Sequence, residues 1–221
     1  MARTHLIVVF FGLLLGGCVP PNVVVTKSGF DINTPQEKLE ALAAAPVCCR
    51  QFSEMKAIPL QDDLQIELDA RSPAFQFPSG KSFFAALTID KNFLGKTLQV
   101  RAYATLRLDT YFGLAITLLD GNYRVLAVYD SIDGLRHNRY AGDAIKIRDA
   151  YIERVITLPS EARYVVVHTT DALMRVYALD GMYYFNSIGP SGTVKYRRQL
   201  MPTGEVRFRV IEGGVKYGSD K

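Results

Sequence analysis

Cys18 has the most distinctive chemical setting in this 221-residue sequence. It ends the motif Leu15-Gly16-Gly17-Cys18, which follows Arg3 and an uncharged apolar run over residues 6–15. That run is too short to cross a membrane as a helix, which takes about 20 residues, but it suits the central region of a secretory signal. The small residues before Cys18 suit a peptidase that cuts there. We therefore predict a signal peptide over residues 1–17 and a mature chain that begins at Cys18.

The four residues that end at Cys18 resemble the bacterial lipobox. The resemblance implies that Cys18 receives a diacylglycerol and is then acylated on its amine, and two or more acyl chains give a stable membrane anchor. Val19 stands where inner-membrane lipoproteins often carry Asp, so we expect a periplasmic protein anchored to the outer membrane. Two alternatives stay open: a plain signal peptide cut elsewhere, and a buried apolar helix with an incidental cysteine.

Cys48 and Cys49 are adjacent in the sequence. In an oxidising compartment, neighbouring cysteines are not expected to stay free without cause. The sequence leaves three alternatives open, namely a disulfide between the two neighbours, two free buried thiols, or bridges to another molecule. The pair is not a C-x-x-C motif, so a redox role has little support.

Catalytic and metal-binding patterns are missing from the rest of the sequence. Signal cleavage would leave His137 and His168, and neither has a second ligand at helical or hairpin spacing, so we expect no metal and no cofactor. His168 ends an apolar strand and is expected to be structural. No nucleophile elbow, zinc-protease motif or phosphate-binding glycine loop occurs. Two carboxylates of a glycosidase would meet only in space, and nothing in the sequence singles out a pair. The chain is therefore predicted not to be an enzyme.

A binding surface is the remaining chemistry, and Tyr103 and Arg107 are its candidates. They lie on one face of an alternating strand over residues 98–108, together with Arg101 and Thr105. An aromatic ring with a polar tip suits a wet binding surface. The sequence has no tryptophan, which argues against a strong sugar-stacking platform, although its 12 tyrosines could substitute. The alternative is an ordinary solvent-facing strand with cross-strand pairs.

The segment before these strands predicts a tether and one short helix. Residues 18–33 contain prolines and no helical period, which indicates a tether. Thr34, Pro35 and Glu37 then form a capping box with a proline at the first helical position, and Pro46 stops the helix. We predict a short helix over residues 34–46.

Strand patterns fill the rest of the chain, and we assign residues 47–221 to one domain. Residues 98–108 alternate between apolar and polar positions, as in a strand with one face on a core. Asp120-Gly121-Asn122 predicts a hairpin turn, and residues 152–158 and 163–169 are expected to form another pair. Because helices do not alternate with strands, we predict a mainly β fold, an antiparallel β-sandwich of jelly-roll-like type. The other predicted strands cover residues 83–89, 112–119, 124–129 and 206–211. In the last of these, Val206, Phe208 and Val210 are expected to point inward, and Arg207 and Arg209 outward.

Composition agrees with a globular protein, since 48% of the residues are hydrophobic and 22% are charged. The net charge of +4 is too small to indicate nucleic acid as a partner. Residues 193–221 hold seven basic and three acidic side chains. That basic end is either a contact with anionic lipid or an ordinary solvated face.

Ordered blocks of this chain resemble the maltose operon periplasmic protein family (MalM-like). The blocks lie at residues 45–60, 75–84, 98–108, 114–122, 163–171 and 202–210. The resemblance implies an envelope protein with a β-sandwich, linked to maltodextrin uptake, and it supplies no catalytic residues. This chain differs in having a lipobox and the cysteine pair, and in lacking a long helical tail rich in alanine and proline.

Three functions follow, in descending order. The first is a non-enzymatic accessory or binding module for carbohydrate at the cell envelope. The second is a structural lipoprotein that binds another envelope protein or the cell wall. The third is an enzyme that acts on glycosides.

Overall fold

The computed structural model describes residues 34–103, 110–137, 151–175, 177–185 and 192–212. Side chains are described for these residues except 137, 177–185 and 192–198. The predicted signal peptide, Cys18, the tether and Arg107 lie outside the described residues.

The described chain is mainly β, with one helix of three turns near its start. Helix α1 spans Pro35–Ala44 and a single-turn helix α2 spans Asp171–Met174. The strands are β1 Ala57–Pro59, β2 Leu64–Leu68, β3 Ala74–Phe77, β4 Gly80–Phe83, β5 Ala85–Thr88, β6 Thr97–Tyr103, β7 Thr110–Phe112, β8 Ala115–Leu119, β9 Val125–Tyr129, β10 Arg136–His137, β11 Tyr151–Thr157, β12 Tyr164–His168, β13 Tyr177–Phe185, β14 Gly192–Met201 and β15 Gly204–Ile211. Short 3-10 helices occur at Phe52–Glu54, Lys91–Phe93 and Ile132–Gly134.

Two five-stranded sheets carry most of the fold. The first has the order β1-β5-β12-β8-β9 and the second the order β10-β11-β6-β15-β2. Side chains of both sheets meet in one hydrophobic cluster, for example Leu98 and Val100 from the second sheet with Ile116 and Val165 from the first. Two sheets that share one core in this way form a β-sandwich. Most strand pairs are antiparallel, but β1 pairs with β5 and β7 with β14 in parallel. A jelly-roll order of the strands stays a prediction.

The helix prediction is confirmed together with its capping box. The Thr34 hydroxyl accepts a hydrogen bond from the Glu37 backbone N–H at 3.2 Å, and the Glu37 carboxylate accepts one from the Thr34 N–H at 2.6 Å. Two of the free N–H groups at the helix start are thereby satisfied. Leu42 and the stem of Lys38 form the buried side of the helix.

Strand β6 confirms the predicted buried face, but its other face is only partly exposed. Leu98, Val100 and Ala102 are fully buried, whereas on the opposite face Gln99 is also buried and Arg101 and Tyr103 are half-buried. The predicted strand continued to residue 108, and residues 104–109 lie outside the described chain.

Two predicted strands are divided in the structure. Residues 83–89 hold the last residue of β4 and all of β5, and the break between them is at Phe84, whose N–H bonds to Pro73 O. Residues 112–119 divide into β7 and β8 at Gly113, whose N–H bonds to Met201 O. A β carbon on Gly113 would lie 2.2 Å from the Thr169 hydroxyl, so only glycine allows this close approach.

The predicted pairing of residues 152–158 with residues 163–169 is wrong. Strand β11 pairs with β6 and β10 in the second sheet, whereas β12 pairs with β5 and β8 in the first. The link around Pro159 is a corner between the sheets, with the buried Leu158 and Ala162 at its two ends. The predicted hairpin is confirmed, since β8 and β9 pair across the turn that begins at Asp120.

Candidate functional site

The outer face of the second sheet holds a polar cleft that includes the predicted site residue Tyr103. Strand register places Arg101 of β6 opposite Glu153 of β11 on one side and opposite Arg207 of β15 on the other. Because the alternate positions of β6 and β15 point into the core, these polar side chains share the outer face. Arg101 and Arg207 border a cleft of about 340 Å³, within the size range of small-molecule sites. The cleft is lined by Asp62, Asp63, Gln99, Arg101, Tyr103, Arg207 and Arg209.

Glu153 holds one wall of the cleft in place. Its Oε2 atom accepts a hydrogen bond from Gln99 Nε2 at 2.8 Å and one from Arg101 Nε at 3.1 Å. The Arg101 guanidinium also lies over the Tyr151 ring, 4.2 Å from its centroid. Burial lowers the pKa of Arg101, but the hydrogen bond to Glu153 and the neighbouring tyrosines outweigh it, so the pKa lies above its usual value. Arg101 is therefore a fixed cation with a fixed orientation.

Asp63 and Arg207 form the opposite wall. Arg207 Nε donates to Asp63 Oδ1 at 2.6 Å and its Nη2 donates to Asp63 Oδ2, a two-pronged pairing that defines the plane of both groups. The hydrogen bond from Arg207 holds the pKa of Asp63 below its usual value. Both side chains are substantially exposed, so the pair orients the guanidinium more than it stabilises the fold.

Tyr103 lies between these two walls. Its ring centroid is 5.7 Å from that of Tyr151, with the ring planes inclined by 59°. The pKa of Arg207 is raised mainly by the hydrogen bond to Asp63, with a further contribution from the Tyr103 phenol. The half-buried tyrosine thus offers an aromatic surface beside two oriented guanidinium groups.

The structure assembles this cleft from more elements than the sequence suggested. Tyr103 is in the cleft as expected, but its predicted companion Arg107 lies outside the described residues. Arg207 and Arg209 supply guanidinium groups from β15. Their alternation with apolar residues predicted that they face outward, but only strand register shows that they lie beside Tyr103.

The carboxylates of the cleft suit hydrogen bonding better than acid catalysis. Asp63 and Glu153 pair with arginines, and Asp62 Oδ1 accepts a hydrogen bond from the Val210 N–H at 2.9 Å. The acid of a glycoside hydrolase needs a raised pKa, whereas the pKa of Asp63 is lowered. The planar carboxylate and guanidinium groups of the cleft can hold the hydroxyl groups of a ligand by hydrogen bonds.

His168 is a structural residue, as its strand pattern indicated. Its ring stacks on Phe77 with centroids 4.0 Å apart. Nδ1 donates to Thr169 O and Nε2 accepts from the Thr117 hydroxyl, each at 2.9 Å. Burial lowers the pKa of His168 to about 4. Within the described residues, no group of three or more metal-ligating side chains occurs.

Cys48 and Cys49 are joined to each other by a disulfide. Of the three alternatives left by the sequence, the structure has the bridge between neighbours. Cys48 is exposed, whereas Cys49 is buried in a cluster with Phe75, Phe77 and Met55. The bridge lies apart from the cleft on the outer side of the first sheet, where Val166 belongs to the same cluster.

Comparisons with family models, with curated proteins and with solved structures give no match to this chain. The resemblance to the maltose operon family therefore stays a prediction. In the part of the chain that the structure describes, no helix has the length and apolar character needed to span a membrane.

Proposed function

We propose that this protein is a non-enzymatic lipoprotein of the cell envelope that binds carbohydrate in the cleft around Tyr103. Cys18 carries the lipid, which holds the protein in the periplasm at the outer membrane. The protein serves as an accessory of maltodextrin uptake, the role that the resemblance to the maltose operon family implies.

The observation that carries the binding proposal is the position of Tyr103 between two oriented guanidinium groups. Sugar rings have apolar faces that pack on an aromatic ring, and their hydroxyls hydrogen-bond to planar charged side chains. Arg101 and Arg207 are each held by a carboxylate, so they are ordered before a ligand arrives. Such preorganisation reduces the entropy lost on binding.

Calorimetric titration of the full-length lipidated protein with maltotriose tests the proposal. The detergent must not carry a sugar headgroup, since a maltoside would compete for the same cleft. We expect saturable binding, a loss of at least about tenfold in affinity for Tyr103→Ala, a change of about 1.4 kcal/mol, and no hydrolysis products. Tyr164→Ala is the matched control, because Tyr164 is also half-buried but lies in the first sheet.

Absence of any heat of binding, or equal loss in both tyrosine variants, would remove the cleft as a carbohydrate site. The appearance of shorter glucans during incubation would instead support the enzyme alternative.

One observation favours the second candidate function, attachment to another envelope protein. Edge strand β9 exposes Val125, Leu126 and Val128, with 40–50% of each residue's surface accessible. Exposed neighbouring apolar side chains are typical of protein contacts. Cross-linking in intact cells, followed by comparison of the wild type with Val128→Lys, tests this candidate.

A further inference from the structure

A second hollow of about 510 Å³ lies beside the cleft, and Asp62 lines both. Parallel strands β1 and β5 pair Pro59 with Thr88, so both strands end at the same place. The Leu60 N–H bonds to Thr88 O at 2.9 Å and continues this alignment beyond the strands. The hollow is therefore walled by a hydrogen-bonded part of the first sheet.

The turn between β1 and β2 separates the two hollows. Asp62 bonds to the Val210 N–H on β15, whereas the next residue, Asp63, turns to Arg207 with a backbone φ of +63°. Two consecutive carboxylates thereby have different neighbours. Asp62 is exposed at the boundary, where one of its oxygens is anchored to the backbone.

Basic side chains line only one end of this surface. The cleft is lined by Arg101, Arg207 and Arg209 together with Asp62 and Asp63, whereas the described residues of the second hollow include Asp62 and Asp90 and no basic one. An anionic polymer would meet the carboxylates at one end, and a cationic polymer would meet the arginines at the other. Hydroxyl groups donate and accept hydrogen bonds, so a neutral sugar chain fits both ends.

The second hollow also has an aromatic wall. Phe93 is half-buried, and the Lys96 ammonium lies 6.0 Å from its ring centroid. Lys96 itself bonds to Glu212 at 2.9 Å, which fixes the ammonium. Tyr103 lines the cleft and Phe93 lines the second hollow, so each of the two hollows that share Asp62 has an aromatic side chain.

We infer that the two hollows form one extended groove for a linear, neutral oligosaccharide that passes over Asp62. This inference rests on the proposed function and adds to it a second subsite and a ligand length. A disaccharide occupies one hollow, whereas a longer chain contacts both. Linking two contacts in one molecule makes the second contact intramolecular and raises the affinity.

Titration of the full-length protein with maltose and with maltohexaose tests the inference. We expect maltohexaose to bind at least about tenfold more tightly, equal to 1.4 kcal/mol. Phe93→Ala should abolish this gain, so that maltohexaose and maltose bind the variant with about the same affinity. Asp90→Ala, at an exposed position, should reduce the same gain and serves if the Phe93 variant does not fold. Tyr164→Ala should retain the full gain.

Equal affinities for the two sugars, with binding still lost in Tyr103→Ala, would overturn the second subsite and leave the proposed function intact. Tighter binding of oligogalacturonate or of a chitosan oligomer than of maltohexaose would overturn the inferred neutral ligand. If none of these sugars binds, both the inference and the proposed function are wrong.

Discussion

Arg101 and Glu153 lie directly opposite each other on neighbouring strands, with the Arg101 Nε 3.1 Å from the Glu153 Oε2. The same carboxylate oxygen accepts the Gln99 amide at 2.8 Å, so one buried acid orients two side chains of β6. This relationship makes one wall of the cleft rigid before any ligand is present. It also couples the binding face to the stability of the sheet.

Glu153→Gln should destabilise the fold by about 1–3 kcal/mol, because the buried Gln99 amide and the Arg101 guanidinium lose the carboxylate that accepts their hydrogen bonds. Asp63→Asn removes the acid from the exposed Asp63–Arg207 pair and should have a clearly smaller effect. Urea unfolding of both variants measures the difference. An equal loss of stability in the two variants would contradict the assignment of Glu153 as the organising residue.

His168 should make the stability depend on pH between about 6.5 and 4. Its pKa is lowered by burial to about 4 in the folded state, from about 6.5 in an unfolded chain. The unfolded state therefore binds more protons in this interval, and up to roughly 3 kcal/mol of stability is lost as the pH falls through it. Urea unfolding at several pH values should show this slope, and His168→Gln should flatten it.

A separate loss is expected below about pH 4, where carboxyls with a lowered pKa, such as Asp63 and Asp120, become protonated. An unchanged slope between pH 6.5 and 4 in His168→Gln would show that other groups cause it.

The disulfide between Cys48 and Cys49 should react first at Cys48. Attack by a thiolate requires access to the sulfur, and Cys48 is exposed whereas Cys49 is buried. With limited glutathione, mass spectrometry should locate the mixed disulfide on Cys48 and the released thiol on Cys49. Predominant adducts on Cys49 would contradict this order.

Leu98→Ala should destabilise the protein by about 2–5 kcal/mol, since Leu98 is fully buried in the central strand β6. Leu126→Ala, at an exposed edge position, should change the stability by less than about 0.5 kcal/mol. Denaturant unfolding measures both. A small effect at Leu98 would contradict the observed register of β6.

Cys18→Ser should prevent attachment of lipid, because the thiol is the predicted acceptor. Metabolic labelling with a fatty acid should mark the wild-type protein and leave the variant unmarked. Cys48→Ser is the control and should remain labelled. Label on Cys18→Ser would contradict the lipobox prediction.

Local signals predicted the parts of the fold that depend on neighbouring residues. The capping box at Thr34 and the turn at Asp120 were readable because a few adjacent side chains satisfy the backbone there. Alternation along β6 predicted that Leu98, Val100 and Ala102 are buried, but it placed the buried Gln99 on the wet face. Pairing between distant strands was not readable, and β11 and β12 were assigned to each other although they belong to different sheets.

The candidate site was predicted only where one strand supplies it. Tyr103 and the outward positions of Arg207 and Arg209 follow from alternation, but their proximity depends on the register of β6 with β15. The burial of Arg154 could not be predicted for a related reason, because it depends on an acceptor that is distant in the sequence. Arg154 lies on the inner face of β11, where its Nε donates to Leu114 O at 2.6 Å, and this hydrogen bond replaces one to water.

A crystal structure of the full-length protein with maltohexaose tests the central claim most directly. We predict an intact glucan with one ring against Tyr103, hydroxyls bonded to Arg101 and Arg207, and the chain continuing over Asp62 toward Phe93. A glucan bound elsewhere, for example in the hollow beside Asp130 and Asp171, would contradict the proposed site, and a cleaved glucan would contradict binding without turnover.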